Sequence, residues 1–287
     1  MTFKVRDRIE QYRRHHPVDW SLLEQDYALS WVLFGMSEVK RLKDHLVFKG
    51  GTCLKKCYFG EYRFSQDLDF SVQGESPVGD ELELLINKAC QVATQTLAST
   101  HNNVTFQCKR YVEKKPHPDN QEAFSILVQY PWQQEPLTRV MVEVTLLEVI
   151  YLPIQERSLI HGYGDEIQAS IHTYSLEEII AEKIAALLSY QKKLHERGWG
   201  RSRARDYYDL WRIFHSYRDD VKTDTIPDIV KKKCQRKGVL FTSFQEIFSE
   251  TLLADLETSW TQWVRPLVTQ LPDREAVIRD LKEFLAN

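Results

Sequence analysis

The sequence predicts an α+β protein in which a mixed α/β block stands between helical segments. Apolar residues recur at three- and four-residue steps over residues 3–43, which is typical of helices. Short apolar or alternating runs follow over about residues 41–155 and indicate strands. Beyond Pro153 the pattern is mostly helical, so we expect a core with N-terminal helices over residues 1–170 and a helical domain over residues 171–287.

The elements of the first domain follow from local signals. The run HLVFKGG predicts a strand that ends in a turn, and TCLKKCYF predicts a helix that starts at Thr52. QDLDFSV is the next strand, and VGDELELLINKACQVATQTLAS is an amphipathic helix. Three further strands are expected at NVTFQCKRYV, AFSILVQYP and RVMVEVTLLEV, the first two joined by a polar hairpin connection at residues 113–122.

The second domain is predicted from helical periodicity. SLEEIIAEKIAALLSYQKKLHER is a helix with Ser175 as its N-cap and Glu178 as the capping-box partner. Further helices are expected at RDYYDLWRIFHSY, TIPDIVKKKCQRK, FTSFQEIFSETLLADLETSWTQWV and REAVIRDLKEFLAN.

Composition excludes several classes of protein. A chain of 287 residues that is 43% hydrophobic can bury a sizeable core, and a net charge of −3 argues against a uniformly basic nucleic-acid coat. No apolar run approaches the roughly 20 residues of a membrane helix, and the charged N-terminal segment lacks the apolar centre of a signal peptide. The five cysteines form no C-x-x-C pair, so we expect reduced thiols and a cytoplasmic location.

Two aspartates stand one residue apart in the run QDLDFSV. Strand side chains alternate, so Asp67 and Asp69 share one face while Leu68 and Phe70 enter the core. Neighbouring carboxylates repel each other unless a cation lies between them, and Mg²⁺ binds oxygen ligands together with substrate phosphates. The pattern indicates a metal site, and a solvated strand face is the alternative.

The glycines that precede this strand suit a phosphate. Glycine lets the backbone approach a ligand closely, and the N–H groups at a helix start favour anions. We therefore expect Gly50 and Gly51 to bind phosphate, with the Thr52 hydroxyl as a further donor. Together with the aspartates, this turn describes a pocket for a metal-bound triphosphate.

A third carboxylate is expected on a neighbouring strand. In RVMVEVTLLEV, Glu143 shares its face with Met141 and Thr145, and an isolated charge among apolar residues is costly unless it is paired or bound to metal. The alternatives for Glu143 are an edge-strand charge or a pair with a core arginine. Glu148 is a weaker candidate for the same role.

Four segments, FKGGTCLKKCY, RFSQDLDF, AEKIAALLSY and ARDYYDL, together resemble the AbiEii/MenT family of nucleotidyltransferase toxins from bacterial toxin–antitoxin and phage-defence systems. They occur in family order over about residues 46–212. The resemblance implies a polymerase-β-like nucleotidyltransferase core, a mixed sheet flanked by helices, with a helical C-terminal domain. It also implies an NTP substrate, Mg²⁺ or Mn²⁺ as cofactor, an RNA acceptor that is tRNA in some members, and a cognate antitoxin.

Carried onto this chain, the resemblance implies Gly51 and Thr52 for phosphates, Asp67 and Asp69 for metal, and Lys183 and Asp206 as further pocket residues, and the residue patterns above add the others. For Lys183 the alternative is a surface lysine, and for Asp206 an Arg–Asp pair or a carboxylate at a helix start. Asp209 is expected to be structural, and Arg63 either holds phosphate or braces Asp67. The nucleotide-binding set is Gly50, Gly51, Thr52, Arg63, Ser65 and Lys183, and the catalytic set is Asp67, Asp69, Glu143, Lys183 and Asp206, with Asp67, Asp69 and Glu143 as metal ligands.

A basic stretch, YQKKLHERGWGRSRARD, leads directly into Asp206 and suits an acceptor strand. A second basic run, residues 231–237, is expected to be a solvated face. The predicted RNA-binding residues of the first stretch are Lys192, Lys193, Arg197, Trp199, Arg201 and Arg203.

These patterns predict transfer of a nucleoside monophosphate from an NTP to RNA, and the family resemblance implies tRNA as the acceptor and inhibition of translation as the result. Three alternatives use a similar site. They are nucleotidylation of protein, a non-catalytic nucleotide-binding module and a metal-dependent phosphodiesterase.

Overall fold

The computed structural model describes residues 4–100, 103–111 and 120–286, and the chain forms two compact units. The first unit comprises Met1–Ile150 and Ile154–Tyr174, and the second comprises Tyr151–Pro153 and Ser175–Asn287. None of the described helices combines the length and the apolarity that a membrane span requires.

The first unit is a mixed sheet with helices, as the sequence predicts. Its helices are α1 (Lys4–His15), α2 (Trp20–Glu38), α3 (Lys40–His45), α4 (Gly50–Cys53), which continues as a π-helical segment Leu54–Phe59, and α5 (Gly79–Ser99). Its strands are β1 (Leu46–Lys49), β2 (Asp67–Val72), β3 (Thr105–Tyr111), β4 (Gln121–Gln129), β5 (Thr138–Thr145), β6 (Gln155–Ser158) and β7 (Ser170–Thr173).

The described strands form one seven-stranded sheet in the order β3-β4-β5-β2-β1-β7-β6. β2 lies in the interior of the sheet, antiparallel to β1 and parallel to β5. Side chains of directly opposed residues share a face, so this register decides which groups meet. One face of the three strands carries Phe48, Phe70 and Val142, all buried, and Phe70 lies beside Leu33 and Met36 of α2. The opposite face carries the polar side chains of the site.

Several local expectations need correction. Residues 3–43 are helical in their described part, as expected, but the helix after β1 begins at Gly50 rather than at Thr52. The sequence also misses β6 and β7, because each has four residues and polar side chains that leave no clear alternation. β3 and β4 pair antiparallel, but residues 112–119 of their expected hairpin connection lie outside the described residues.

The second unit is helical in its described part. Ser175 caps its first helix as predicted, since its Oγ accepts a hydrogen bond of 3.2 Å from the Glu178 N–H. The capping-box role of Glu178 is wrong, because its carboxylate instead accepts hydrogen bonds from the N–H groups of Tyr151 and Leu152. The helices are α6 (Leu176–Arg197), α7 (Ala204–Tyr217), α8 (Ile226–Arg236), α9 (Glu250–Val264) and α10 (Arg274–Phe284).

A buried ion pair fixes the helix that follows the glycine turn. Lys56 donates to Oδ2 of Asp26 at 2.9 Å and to the Asp26 carbonyl at 3.0 Å, and the Tyr163 hydroxyl donates to the same carboxylate. Burial lowers the pKa of Lys56 to about 8, although Asp26 opposes this shift. Burial also raises the pKa of Asp26, but the Lys55 and Lys56 ammonium groups outweigh burial and hold the pKa below its ordinary value.

We predict that Lys56→Met lowers the free energy of unfolding by about 3–5 kcal/mol, because it leaves the Asp26 carboxylate buried without its main cation. The double variant Lys56→Met/Asp26→Leu should recover much of this loss. Urea denaturation measures both, and Lys40→Met, which breaks an exposed lysine–aspartate pair, is the matched control with an expected change of about 0–1 kcal/mol. Equal losses for Lys56→Met and Lys40→Met would contradict the prediction.

Candidate active site

A row of charged residues crosses three adjacent strands. Lys49 of β1 is the direct partner of Asp69 of β2, and Asp69 is the direct partner of Glu143 of β5. Asp67 lies two residues before Asp69 on the same face, opposite Met141. The register therefore brings the three predicted acids to one face, with Asp69 and Glu143 directly side by side.

The glycine turn lies against the Asp69 carboxylate. Gly50 has φ +77°, a left-handed conformation that favours glycine. A Cβ at this position would stand 2.6 Å from Oδ2 of Asp69, closer than carbon and oxygen can approach. The Asp69 carboxylate thus occupies space beside the Gly50 backbone that the Cβ of any other residue at position 50 would fill.

The second glycine makes room for Arg63. A Cβ on Gly51 would stand 2.2 Å from Nη2 of Arg63, so the guanidinium lies directly over this backbone. Arg63 is only 4% exposed, and its Nη1 donates to the Phe64 carbonyl at 3.1 Å. A buried cation therefore stands at the turn where phosphate is expected, and its predicted contact with phosphate stays a prediction.

Thr52 is placed differently from its expected role. Its side chain is fully buried, and its hydroxyl donates to the backbone carbonyl of Asp67. In this structure the hydroxyl thus connects the start of the helix to the start of β2 instead of pointing to a ligand. Ser65, in the loop before β2, is also buried.

Sequence reasoning missed Lys49 and ranked Glu148 below Glu143. Lys49 donates to Oε2 of Glu148, which also accepts a hydrogen bond of 3.0 Å from Ser71. Glu148 follows the end of β5, whereas Glu143 is the direct partner of Asp69, so Glu143 is the better placed of the two candidate acids. A lysine directly before the Gly-Gly pair is the sequence signal that could have found Lys49.

The donor set fits a hard divalent cation, since all three acids offer carboxylate oxygen. Among the residues that the structure describes, no three His, Cys, Asp or Glu side chains are grouped closely enough to form a metal site by themselves. Asp67, Asp69 and Glu143 therefore fit the ion by chemistry and by register, and their role as metal ligands stays a prediction.

The second unit contains a separate cluster around Lys183. This lysine donates to Oδ1 of Asp206 at 2.9 Å and to Oδ2 of Asp209 at 2.6 Å. Lys183 is 7% exposed, so the alternative of a surface lysine is wrong, and the fully buried Asp209 has a structural partner. Burial raises the pKa of Asp206, but the Lys183 ammonium and the Arg203 guanidinium outweigh it and hold that pKa below its ordinary value.

The predicted RNA-binding stretch lies where α6 ends. Gly198 ends the helix with φ +74°, and Trp199 follows it with 73% of its surface exposed. Lys192 donates to the Gly238 carbonyl at 3.0 Å, which holds part of the stretch in place. Of the six predicted residues, Lys192, Lys193, Arg197, Trp199 and Arg201 are exposed and Arg203 is half-buried.

A mixed sheet with an acidic row beside a glycine turn, followed by a helical unit, is the arrangement of a nucleotidyltransferase. The family model "Nucleotidyl transferase AbiEii toxin, Type IV TA system" matches residues 31–287, so the chain belongs to this family. Its members are nucleotidyltransferase toxins, and the protein is therefore an NTP-using enzyme of that kind.

Among solved structures, the chain is similar to MenT4, a nucleotidyltransferase toxin from Mycobacterium tuberculosis H37Rv, with a TM-score of 0.56. The two share 18% identity, and the match covers 92% of this chain and 94% of that one, so the likeness concerns the fold. It confirms the expected fold class. No curated protein matches the chain.

We predict that Gly50→Ala lowers the free energy of unfolding by about 1–2 kcal/mol, the cost of a left-handed residue, and displaces the Asp69 carboxylate. Gly164→Ala is the matched control, because Gly164 has φ +76° and no atom within 4 Å of an added Cβ. Both variants should lose similar stability in urea denaturation, and only Gly50→Ala should lose nucleotide transfer. Equal transfer rates for the two variants would show that the close approach to Asp69 has no role in catalysis.

Proposed function

We propose that the protein transfers a nucleoside monophosphate from an NTP to a hydroxyl group of RNA, with tRNA as the acceptor and Mg²⁺ as the cofactor. The observation that most supports this proposal is the close approach of the Asp69 carboxylate to Gly50, where an added Cβ would stand 2.6 Å from Oδ2 of Asp69, which itself lies beside Glu143. The proposed phosphate-binding turn at Gly50 and Gly51 therefore lies next to the row formed by Asp69 and Glu143.

Each group in the first unit has a proposed role. The Gly50–Gly51 turn binds the triphosphate through backbone N–H groups at the start of α4. Arg63, buried over Gly51, supplies positive charge to the phosphates. Asp67 and Asp69, with Glu143, hold the divalent ion. From the family resemblance, Lys183 and Asp206 stay predicted contributors to the same reaction.

The reaction is a displacement at the α-phosphorus. The acceptor oxygen forms a bond to this phosphorus while the bond to the β-phosphate oxygen breaks, so pyrophosphate leaves with the electron pair. Glu143 receives the proton of the acceptor hydroxyl. Asp67, Asp69 and Glu143 would hold the divalent ion, which when bound would supply positive charge for activating the attacking hydroxyl and neutralising the leaving group.

The choice of RNA as acceptor rests on the stretch from Lys192 to Arg203. Its exposed lysines and arginines attract a phosphate backbone, and Trp199 offers an exposed ring on which a base can stack. Modification of tRNA would inhibit translation, which suits a toxin. The toxin–antitoxin description of the family supports a cognate antitoxin, and the sequence resemblance alone suggests a role in phage defence. Five cysteines without a disulfide support a cytoplasmic setting.

We predict that Asp69→Asn lowers transfer of label from α-labelled NTP to RNA by about 100-fold or more, because it removes a charge from the acid row while keeping the side-chain shape. Asp219→Asn, on an exposed aspartate, should transfer label at the wild-type rate. The assay incubates each variant with total RNA, Mg²⁺ and each α-labelled NTP in turn, and resolves the products on a gel. Transfer by Asp69→Asn at the wild-type rate would refute the assignment.

The same assay separates the alternative functions. Label on protein instead of RNA indicates protein nucleotidylation, and NTP binding without transfer to either acceptor indicates a non-catalytic module. Cleavage of RNA without added NTP indicates a phosphodiesterase. Labelled RNA together with released pyrophosphate supports the proposed function.

We predict that Trp199→Ala raises the KM for RNA about 5- to 150-fold, since stacking of a base on an aromatic ring contributes about 1–3 kcal/mol. The KM for NTP should stay unchanged. Tyr111→Ala is the matched control, because Tyr111 is also an exposed aromatic residue but lies on β3. An unchanged KM for RNA in Trp199→Ala would exclude this stretch from acceptor binding.

A further inference from the structure

Lys49 stands at the end of the acid row. It is the last residue of β1, directly opposite Asp69 and directly before the Gly50 turn. Only 7% of Lys49 is exposed, so its ammonium, which donates to Glu148, is shielded from bulk water. A buried lysine beside carboxylates acts on them strongly, because water screens the charge only weakly.

A chain of contacts fixes the position of this ammonium. Lys49 donates to Glu148, Ser71 donates to the same Glu148 oxygen at 3.0 Å, and the Tyr174 hydroxyl donates to Ser71 at 2.7 Å. The lysine Nζ also lies 5.8 Å from the centroid of the Tyr174 ring. Ser71 and Tyr174 are fully buried, so this network has little freedom to rearrange.

The network separates two kinds of acid. Asp69 and Glu143 are paired in register across two strands, whereas Glu148 follows β5 and contacts Lys49 and Ser71. The Asp69, Glu143 and Glu148 carboxylates repel one another, and of these only Asp69 and Glu143 lie in the row. One cation between the row and Glu148 would keep the Glu148 carboxylate out of the metal site.

We propose that Lys49, held by Glu148, is a positioning residue: its ammonium balances the charge of the Asp69–Glu143 row and prevents Glu148 from joining it. The row then keeps its arrangement before the nucleotide binds. This inference rests on the proposed function of Asp69 and Glu143, and Lys49 acts through these residues without contacting the substrate.

The test uses the full chain and four variants: Lys49→Met, Lys49→Arg, Glu148→Gln, and the double variant Lys49→Met/Glu148→Gln. Two measurements are made for each. One is kcat and KM for NTP in the RNA-labelling assay. The other is the affinity and number of Mn²⁺ ions bound without nucleotide, obtained from electron paramagnetic resonance of free Mn²⁺.

Lys49→Met should lower kcat about 10- to 100-fold with little change in the KM for NTP, because misplaced catalytic groups slow the chemical step. The same variant should bind Mn²⁺ more tightly or bind an additional ion, since Glu148 becomes available. The double variant removes both charges and should restore Mn²⁺ binding and much of kcat. Lys49→Arg should stay close to wild type because it keeps the charge.

Lys43→Met is the control, as it breaks a lysine–glutamate pair on another part of the first unit, and thermal denaturation shows whether each variant is folded. If Lys49→Met only damages the structure, Mn²⁺ binding should weaken together with kcat, and the double variant should recover neither. That result overturns the proposal. Unchanged kcat and Mn²⁺ binding in Lys49→Met also overturns it. If the wild type transfers no nucleotide, the proposed function fails, while the Mn²⁺ measurements still decide the role of Lys49.

Discussion

The close approach of the Gly50 backbone to the Asp69 carboxylate is the constraint on which the site depends. Two separate reasons require glycine at position 50: its left-handed φ, and the space that a Cβ would fill. The residues around it reinforce the same connection. Lys49 is paired with Asp69 by strand register, and Thr52 hydrogen-bonds to the carbonyl of Asp67. The end of β1, the start of α4 and the start of β2 are therefore positioned as one piece.

Buried charges give each unit internal order. In the first unit, Lys56 meets Asp26 behind the glycine turn, and Lys49 meets Glu148 beside the acid row. In the second unit, Lys183 is shared between two aspartates of α7. Such pairs add little net stability, because removing the charges from water costs nearly as much as their attraction returns. Their effect is to orient the side chains and elements that carry them. Any arrangement that breaks a pair leaves an unpaired buried charge, and the cost of that charge disfavours the arrangement.

Local patterns predicted the parts of the site that depend on strand alternation. The spacing of Asp67 and Asp69 was sufficient to place them on one face, and the isolation of Glu143 among apolar residues marked it as a third candidate on a neighbouring strand. The register that brings Glu143 beside Asp69 came from the structure. Partners distant in sequence were not predictable in this way. The engagement of Glu148 by Lys49 depends on a chain return after β5, and the burial of Lys183 depends on how α6 and α7 pack. The four-residue strands β6 and β7 carry too little periodicity to be recognised.

The acid row and the glycine turn are best understood as two halves of one site, each incomplete without substrate. The described acids form no group of three that could bind a metal by itself, although register places two of them side by side. Mg²⁺ commonly takes one or two carboxylates from the protein and its remaining ligands from phosphates and water. On the proposed function, the triphosphate at the turn supplies those ligands, so ion and nucleotide bind together. A surplus carboxylate would disturb this balance, which is why the engagement of Glu148 by Lys49 matters as much as the acids themselves.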